Sequence, residues 1–388
     1  MKDLTKLKIV FFFKFCAEAM FIPFLALYYK SLGFNESIIG IFLAIPPIVG
    51  ISLTPVYSII CKNVKVAKMV FSIISTIDII IMFMFFKFTA QNELLVVIIL
   101  FNIFSANNFG LLEGFSAVVA SHNKTDYSKI RVFGSFAYAF GLTLSGFLTR
   151  MNSFFLSTCI ATSFTLVAVV FSFLLKVVPK DEVIEKRNVK QFLKNKKYIL
   201  FIIFYTIYVG SMNVGDDFFS TYLNKHYGFS FDSYGYLQSS FIIIEGLVIV
   251  LLISLRKKFK FRHLYMVAIT LSILRFTMSA LGAPIYIIIV LGLTRGVTWG
   301  IHAYLWGQFI VSITGKHNST LAIMVAAMII NIYQATLKIF MGRFIENMGY
   351  HMFYLIILYI LIIAFVYFFI VYHNNDYKSS DRKEKRLV

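Results

Sequence analysis

The chain has 388 residues, of which 59% are hydrophobic and only 14% charged, and its mean hydropathy is +0.80. A soluble domain is about 45–50% apolar and about 25% charged, so the composition excludes an ordinary soluble fold and points to a polytopic membrane protein. The net charge of +19 would suit a polyanion, but the basic residues gather in alternate loops, which makes them a topology signal rather than a nucleic-acid surface.

Crossing the hydrocarbon takes about 20 predominantly apolar residues. The sequence offers that length twelve times, at 9–29, 37–61, 69–89, 93–121, 130–150, 153–176, 198–224, 232–255, 263–282, 284–312, 319–341 and 350–372. Alternation at period two is absent, which excludes a transmembrane barrel. Lys2, Lys6 and Lys8 precede the first run as they would in a signal peptide, but no small-residue cleavage site follows and the run continues through Pro23 to Tyr29, so it reads as a first helix. Lys62, Lys65 and Lys68, then Lys124, Lys129 and Arg131, then Arg256 to Arg262, fall in the same alternate loops as the N-terminus, whereas the opposite loops hold Lys30, Lys87, Arg150, Lys225 and Arg343. Both termini are therefore expected in the cytoplasm, in a multi-pass protein of the cell membrane. Cys16, Cys61 and Cys159 lie in or at the end of apolar segments without metal-ligand spacing, and read as small packing residues.

One long polar connection, 177–197, divides the chain. The expected organisation is a six-helix bundle over 1–176, this cytoplasmic loop, a second six-helix bundle over 198–372 and a basic cytoplasmic tail over 373–388. Gly33-Phe34 followed by Gly40 recurs as Gly228-Phe229 followed by Gly235, at a constant offset of 195 residues and at the outer end of the first helix of each half. Parallel six-helix repeats about a central axis are the architecture of the major facilitator superfamily. The expected fold is all-α and integral to the membrane, with twelve transmembrane helices in two pseudo-symmetric six-helix bundles.

Several segments resemble one clade of that superfamily, the phenylpropionate permeases with the neighbouring lactose permeases and nucleoside:proton symporters. Ile22-Pro23-Phe24-Leu25-Ala26-Leu27-Tyr28-Tyr29 with Ala44-Ile45-Pro46-Pro47 is similar to its opening helices, and Lys129-Ile130-Arg131-Val132-Phe133-Gly134-Ser135 to its entry into helix five. Gly235-Tyr236-Leu237 with Glu245 resembles helix eight, Leu274-Arg275-Phe276 helix nine, and Gly292 to His302 the helix-ten signature. Lactose permeases carry a carboxylate eighteen residues before the helix-five arginine, and Glu113 stands eighteen before Arg131 here. The resemblance implies that Glu113 and Arg131 bind the solute. Two departures stand out. Ser58 to Asn63 lacks the acid of the usual latch motif after helix two, and Arg295 replaces the clade's histidine, so a proton cannot be relayed at that position.

The ionisable residues stranded in apolar stretches carry the functional expectation, because a charge in hydrocarbon costs roughly 3 kcal/mol or more unless it faces a polar interior. Glu245 sits mid-helix, and Arg275 is its expected partner. Arg295 and His302 are seven apart on helix ten with Thr298 and Trp299 between them, so they form one stripe. Glu245, Arg275, Arg295 and His302 are expected to couple proton movement, and Glu113, Arg131, Trp299 and Asn108 to contact the solute. Lys14 and Glu18, four apart, are expected as a structural pair. Asp216 and Asp217 lie about 100° apart around their helix and are not expected to act as a dyad, though one is placed at a cavity mouth. Asp78, Lys176 and Lys338 have weaker cases, the lysines being close enough to helix ends to snorkel.

The expectation is a proton-coupled symporter of a small polar or anionic organic solute, a sugar, nucleoside or aromatic acid, working as a monomer in the bilayer by alternating access. No cofactor, metal or nucleic-acid partner is expected. A drug:proton antiporter ranks lower, because helix five has Gly134, Gly141 and Gly146 without the proline of such exporters. An enzyme would need larger extramembrane loops with a nucleophile, metal cluster or paired carboxylates. A transporter-like sensor without flux is the remaining alternative.

Overall fold

The computed structural model describes residues 3–61, 64–123, 125, 128–151, 153–175, 194–255 and 260–373. The latch-motif residues Lys62 and Asn63, most of the central loop, the basic stretch 256–259 and the tail after His373 lie outside these. Every regular element among the described residues is helical: α1 Asp3–Phe21, a 3₁₀ turn Ile22–Phe24, α2 Leu25–Ser31, α3 Glu36–Ile60, α4 Val64–Lys87, α5 Gln91–Ser105, α6 Asn108–His122, α7 Ser128–Met151, α8 Phe154–Phe173, α9 Lys196–Asp217, α10 Phe219–Tyr227, α11 Phe231–Ser254, α12 Phe261–Leu281 and α13 Ile285–His373.

Local chemistry sets the interruptions. Pro23 lacks an amide proton and tightens the first membrane helix into the 3₁₀ turn between α1 and α2. Asn35 caps α3, its Oδ1 accepting from Ile38 N at 3.0 Å, with Glu36 in the first turn. The 89-residue α13 is broken at Gly315 (φ 77°, ψ 159°) and Gly349 (φ 81°, ψ 171°), giving helices over 285–314, 316–348 and 350–373. Gly33 and Gly228, the repeat pair, both take positive φ, 87° and 64°. There a side chain would be strained, and the chain turns out of the helix with Phe34 N bonded back to Tyr29 O and Phe229 N to Leu223 O.

Among the described residues, ten segments are long and apolar enough to cross a membrane. One of them, Leu321–Tyr372, is 52 residues long and is divided by Gly349 into two passes; α7, more polar because it carries Arg131, Ser135, Thr143 and Ser145, supplies the twelfth. Outward faces are apolar, with Phe136 71% and Leu247 64% exposed, as lipid contact requires.

The chain forms two compact units, Met1–Val183 with Ser220–Ile243, and Ile184–Phe219 with Ile244–Val388. In the first, α1 packs along α7 and α8, and α4 against α5, α6 and α8. Gly141 makes the α1–α7 approach possible, since a Cβ there would stand 2.5 Å from the Cys16 carbonyl. Phe21 meets Phe85, Phe101 and Phe154 at the centre. In the second unit, α9 and α12 pack on α13 around Phe204, Tyr265 and Phe368.

Candidate functional site

The second unit gathers its charges on Asp216, in the last turn of α9. Arg275 of α12 donates Nη1 to Asp216 Oδ1 at 2.6 Å, and Arg295 of the 285–314 helix donates Nε to Oδ2 at 2.8 Å. Trp299, one turn beyond Arg295, donates its indole N–H to the same Oδ2 at 3.2 Å. Asp216 and Arg275 are buried, while Arg295 and Trp299 are half-buried. The Arg275 Nε and Nη2 groups have no hydrogen-bond partner, and its guanidinium lies 4.4 Å from the Phe276 ring centre. Two guanidiniums and an indole on one carboxylate make a donor-rich centre.

Packing explains why Asp216 can reach them. Gly215 has no side chain, and a Cβ there would meet the Phe276 ring at 2.6 Å, so α9 and α12 approach closely just where Asp216 and Arg275 face each other. Gly300 does the same for α11, because a Cβ on it would stand 2.9 Å from the Glu245 carbonyl and 2.8 Å from Val248 Cβ. The half-buried Glu245 therefore flanks the helix carrying Arg295 and Trp299. The expected Glu245–Arg275 pair is corrected: Arg275 engages Asp216, because helices seven and nine are in tight contact at Gly215 and Phe276. Asp217, on the neighbouring face, takes Lys338 at 2.7 Å, so this lysine is paired rather than snorkelling.

His302 lies on the same stripe but in a different environment. Its ring is 1% exposed, surrounded by Tyr205, Tyr208, Tyr265 and Trp299 at centroid distances of 5.7, 5.0, 5.4 and 6.0 Å. Neither ring nitrogen makes a hydrogen bond. Tyr208 instead bonds Ser272 at 3.0 Å.

In the first unit, Arg131 Nε donates to Glu113 Oε1 at 2.8 Å, and both side chains remain about two-fifths exposed, at 40% and 43%. The guanidinium lies 4.7 Å from the centre of the Phe15 ring. Asn108, expected to contact a solute, is fully buried and committed elsewhere: its Nδ2 donates to Asp78 at 2.5 Å and its Oδ1 accepts from Ser75 at 3.3 Å. Lys14 pairs with Glu18 at 3.1 Å and lies 3.5 Å from Asp78. No group of His, Cys, Asp and Glu able to hold a metal occurs among the described residues.

The chain as a whole resembles known proteins. The model of the MFS_1-like family matches residues 4–317. The nucleoside permease NupG of Escherichia coli (strain K12) is 24% identical over 312 residues, covering 72% of this chain and 71% of the relative, and NupG of Shigella flexneri matches equally. Among solved structures, a point mutant of the nucleoside transporter NupG superposes with a TM-score of 0.84 at 19% identity, over 96% of this chain and all of the other. A POT family transporter in complex with a thioalcohol-conjugated peptide gives 0.74 at 12% identity, covering 95% of each chain. The chain belongs to the MFS_1-like family and is a multi-pass membrane transporter of the major facilitator superfamily.

Proposed function

We propose that the protein is a proton-coupled symporter that carries nucleosides inward by alternating access of two six-helix halves, as a monomer with both termini in the cytoplasm. The observation that carries this reading is the donor-rich centre of Asp216, Arg275, Arg295 and Trp299, with Glu245 on the helix that packs against Gly300, in a chain whose curated relatives are nucleoside permeases. A nucleoside is neutral, flat at the base and rich in acceptors at the ribose and base carbonyls. It suits an indole face with unspent guanidinium N–H groups better than a carboxylate-lined pocket does.

In this reading Trp299 stacks on the base, and Glu113 with Arg131 exchanges its ion pair for hydrogen bonds to the solute. Glu245 takes up and releases the coupled proton. His302, enclosed by aromatic rings without a hydrogen bond, serves as part of the wall rather than as a relay, and Asn108 braces Asp78.

The test is uptake of radiolabelled uridine and adenosine into cells expressing the protein, with and without a protonophore. Accumulation above the external concentration, abolished by the protonophore, is the expected result. Absence of nucleoside uptake removes the substrate assignment, and uptake indifferent to the proton gradient removes the coupling. Glu245→Gln is expected to abolish uphill accumulation while counterflow persists.

A further inference from the structure

A second charged cluster lies in the first unit, away from the Asp216 centre. Lys14 and Glu18 are one turn apart on α1, Asp78 comes from α4 and Asn108 from α6. Lys14 Nζ stands 3.1 Å from Glu18 Oε1 and 3.5 Å from Asp78 Oδ2, and Asn108 donates to the same Oδ2. All four are buried, with 2%, 7%, 2% and 0% exposure in the order Lys14, Glu18, Asp78, Asn108.

One ammonium faces two carboxylates, so the cluster carries a surplus negative charge when both are ionised. Deep in a protein surrounded by hydrocarbon, such a charge is not left uncompensated. A separate observation points to what compensates it. Asp78 Oδ1 is buried with no hydrogen-bond partner, and Glu18 Oε1 accepts no hydrogen bond although it lies beside the ammonium. Both carboxylates border a small cavity of about 10 Å³, room for a single water, lined also by Phe21, Met82 and Phe101 and by the hydroxyls of Ser105 and Thr165. A metal cation would have to displace the ammonium; a proton need not.

We propose that Glu18 and Asp78 form a second protonation site, in which one proton binds reversibly to the carboxylate pair as Lys14 shifts its ion pair to the carboxylate left charged. The transfer is a simple balance: a carboxylate takes a proton from hydronium delivered by solvent, water is released, and the site passes from net charge −1 to zero. The proposal rests on the proton-coupled reading above and adds a carrier distinct from Glu245.

The groups facing the pair are few. On α1 it is Lys14; α8 presents Thr165, α5 Ser105 and α6 Asn108. Tyr57 of α3 spends its hydroxyl on Ile103 O at 2.9 Å. On the α6 and α7 side, Glu113 is neutralised by Arg131, whose guanidinium sits on the ring of Phe15. Among the described residues, Lys14 is the one cation within bonding distance of either carboxylate.

The experiment is infrared difference spectroscopy of the purified, full-length protein across a pH step, with uridine accumulation in proteoliposomes as the second measurement. Wild type is expected to show the carbonyl stretch of a buried protonated carboxyl at the acidic end, and Asp78→Asn or Glu18→Gln to remove or shift it. The same variants are expected to lower the accumulation ratio by about tenfold per pH unit of imposed gradient, and to lower counterflow proportionately less. A band unchanged in both variants, or accumulation and counterflow falling in equal measure, overturns the site. Failure of both variants to yield a monodisperse protein marks the cluster as a packing device and overturns it equally. The spectroscopic arm needs no solute: a band that the variants remove, in a wild type that fails to accumulate uridine, rejects the transport reading and leaves the site standing.

Discussion

Arg275 and Asp216 are joined by a 2.6 Å hydrogen-bonded ion pair between two buried side chains, and the second oxygen of the same carboxylate is shared by Arg295 and Trp299. Removing the carboxylate leaves a buried guanidinium without a counter-charge, a change that costs about 3–5 kcal/mol in comparable pairs. Asp216→Asn is therefore expected to lower the thermal midpoint in detergent sharply. Asp216→Asn combined with Arg275→Gln is expected to be less destabilised than the sum of the two single changes, because the double variant no longer buries the Arg275 guanidinium without the Asp216 charge. Additive midpoint shifts would show that the two residues do not share their stability.

Helix existence was legible in the sequence because length and apolarity decide it locally, and so were the helix ends at Gly33 and Gly228; the break at Pro23 was not, because the apolar run continues across it. The stripe of Arg295 and Trp299 was legible as well, since residues four apart share a face of any helix. The identity of the shared acid was not. It depends on how helices seven and nine slide past each other, and that register is set by Gly215 nesting on Phe276, a contact between residues 61 positions apart. The burial of Asn108 beside Asp78 was hidden likewise, because the asparagine's polarity alone does not say whether it faces a cavity or another helix.

Glu113 and Arg131 differ from the Asp216 centre in being two-fifths exposed. An ion pair in that setting contributes about 1 kcal/mol or less to stability. Glu113→Gln is thus expected to leave the thermal midpoint within a degree or two, while weakening uridine affinity by roughly tenfold, the loss of one charge-assisted hydrogen bond. Midpoint and uridine binding measured on the same preparation check this; unchanged binding would reduce the pair to a structural clasp.

His302 is expected to behave as a packing ring. Both its nitrogens are buried without partners among four aromatic side chains, so replacing the imidazole by a phenyl ring removes unsatisfied polar atoms at little change in shape. His302→Phe should melt at or above the wild-type midpoint and keep the pH profile of accumulation. His302→Lys, which buries a charge in the same place, should be strongly destabilised. A flattened pH profile in His302→Phe would return the imidazole to the proton path.

A second close approach between helices in the first unit, besides that at Gly141, is at Gly235. A Cβ on Gly235 of α11 would stand 2.9 Å from Gly146 Cα and 2.9 Å from the Leu142 carbonyl, all backbone of α7 that cannot rotate aside. The same seam is tied by Thr143 donating to Ser239 at 2.8 Å and Ser239 donating to the Ala139 carbonyl at 2.9 Å. These contacts hold α7 against the start of α11 through backbone proximity and hydroxyls, as small residues do where helices meet in lipid. Gly235→Val should therefore force the seam apart at a cost of about 1–3 kcal/mol and depress uptake if the cycle passes through this packed state. Gly246 on the same helix supplies the control, since a Cβ there meets nothing within 4 Å. Gly246→Ala is expected to be neutral or to stabilise α11 by up to about 1 kcal/mol through helix propensity alone. Equal loss of uptake in both variants would assign the effect to glycine replacement in α11 generally and not to the seam with Gly146.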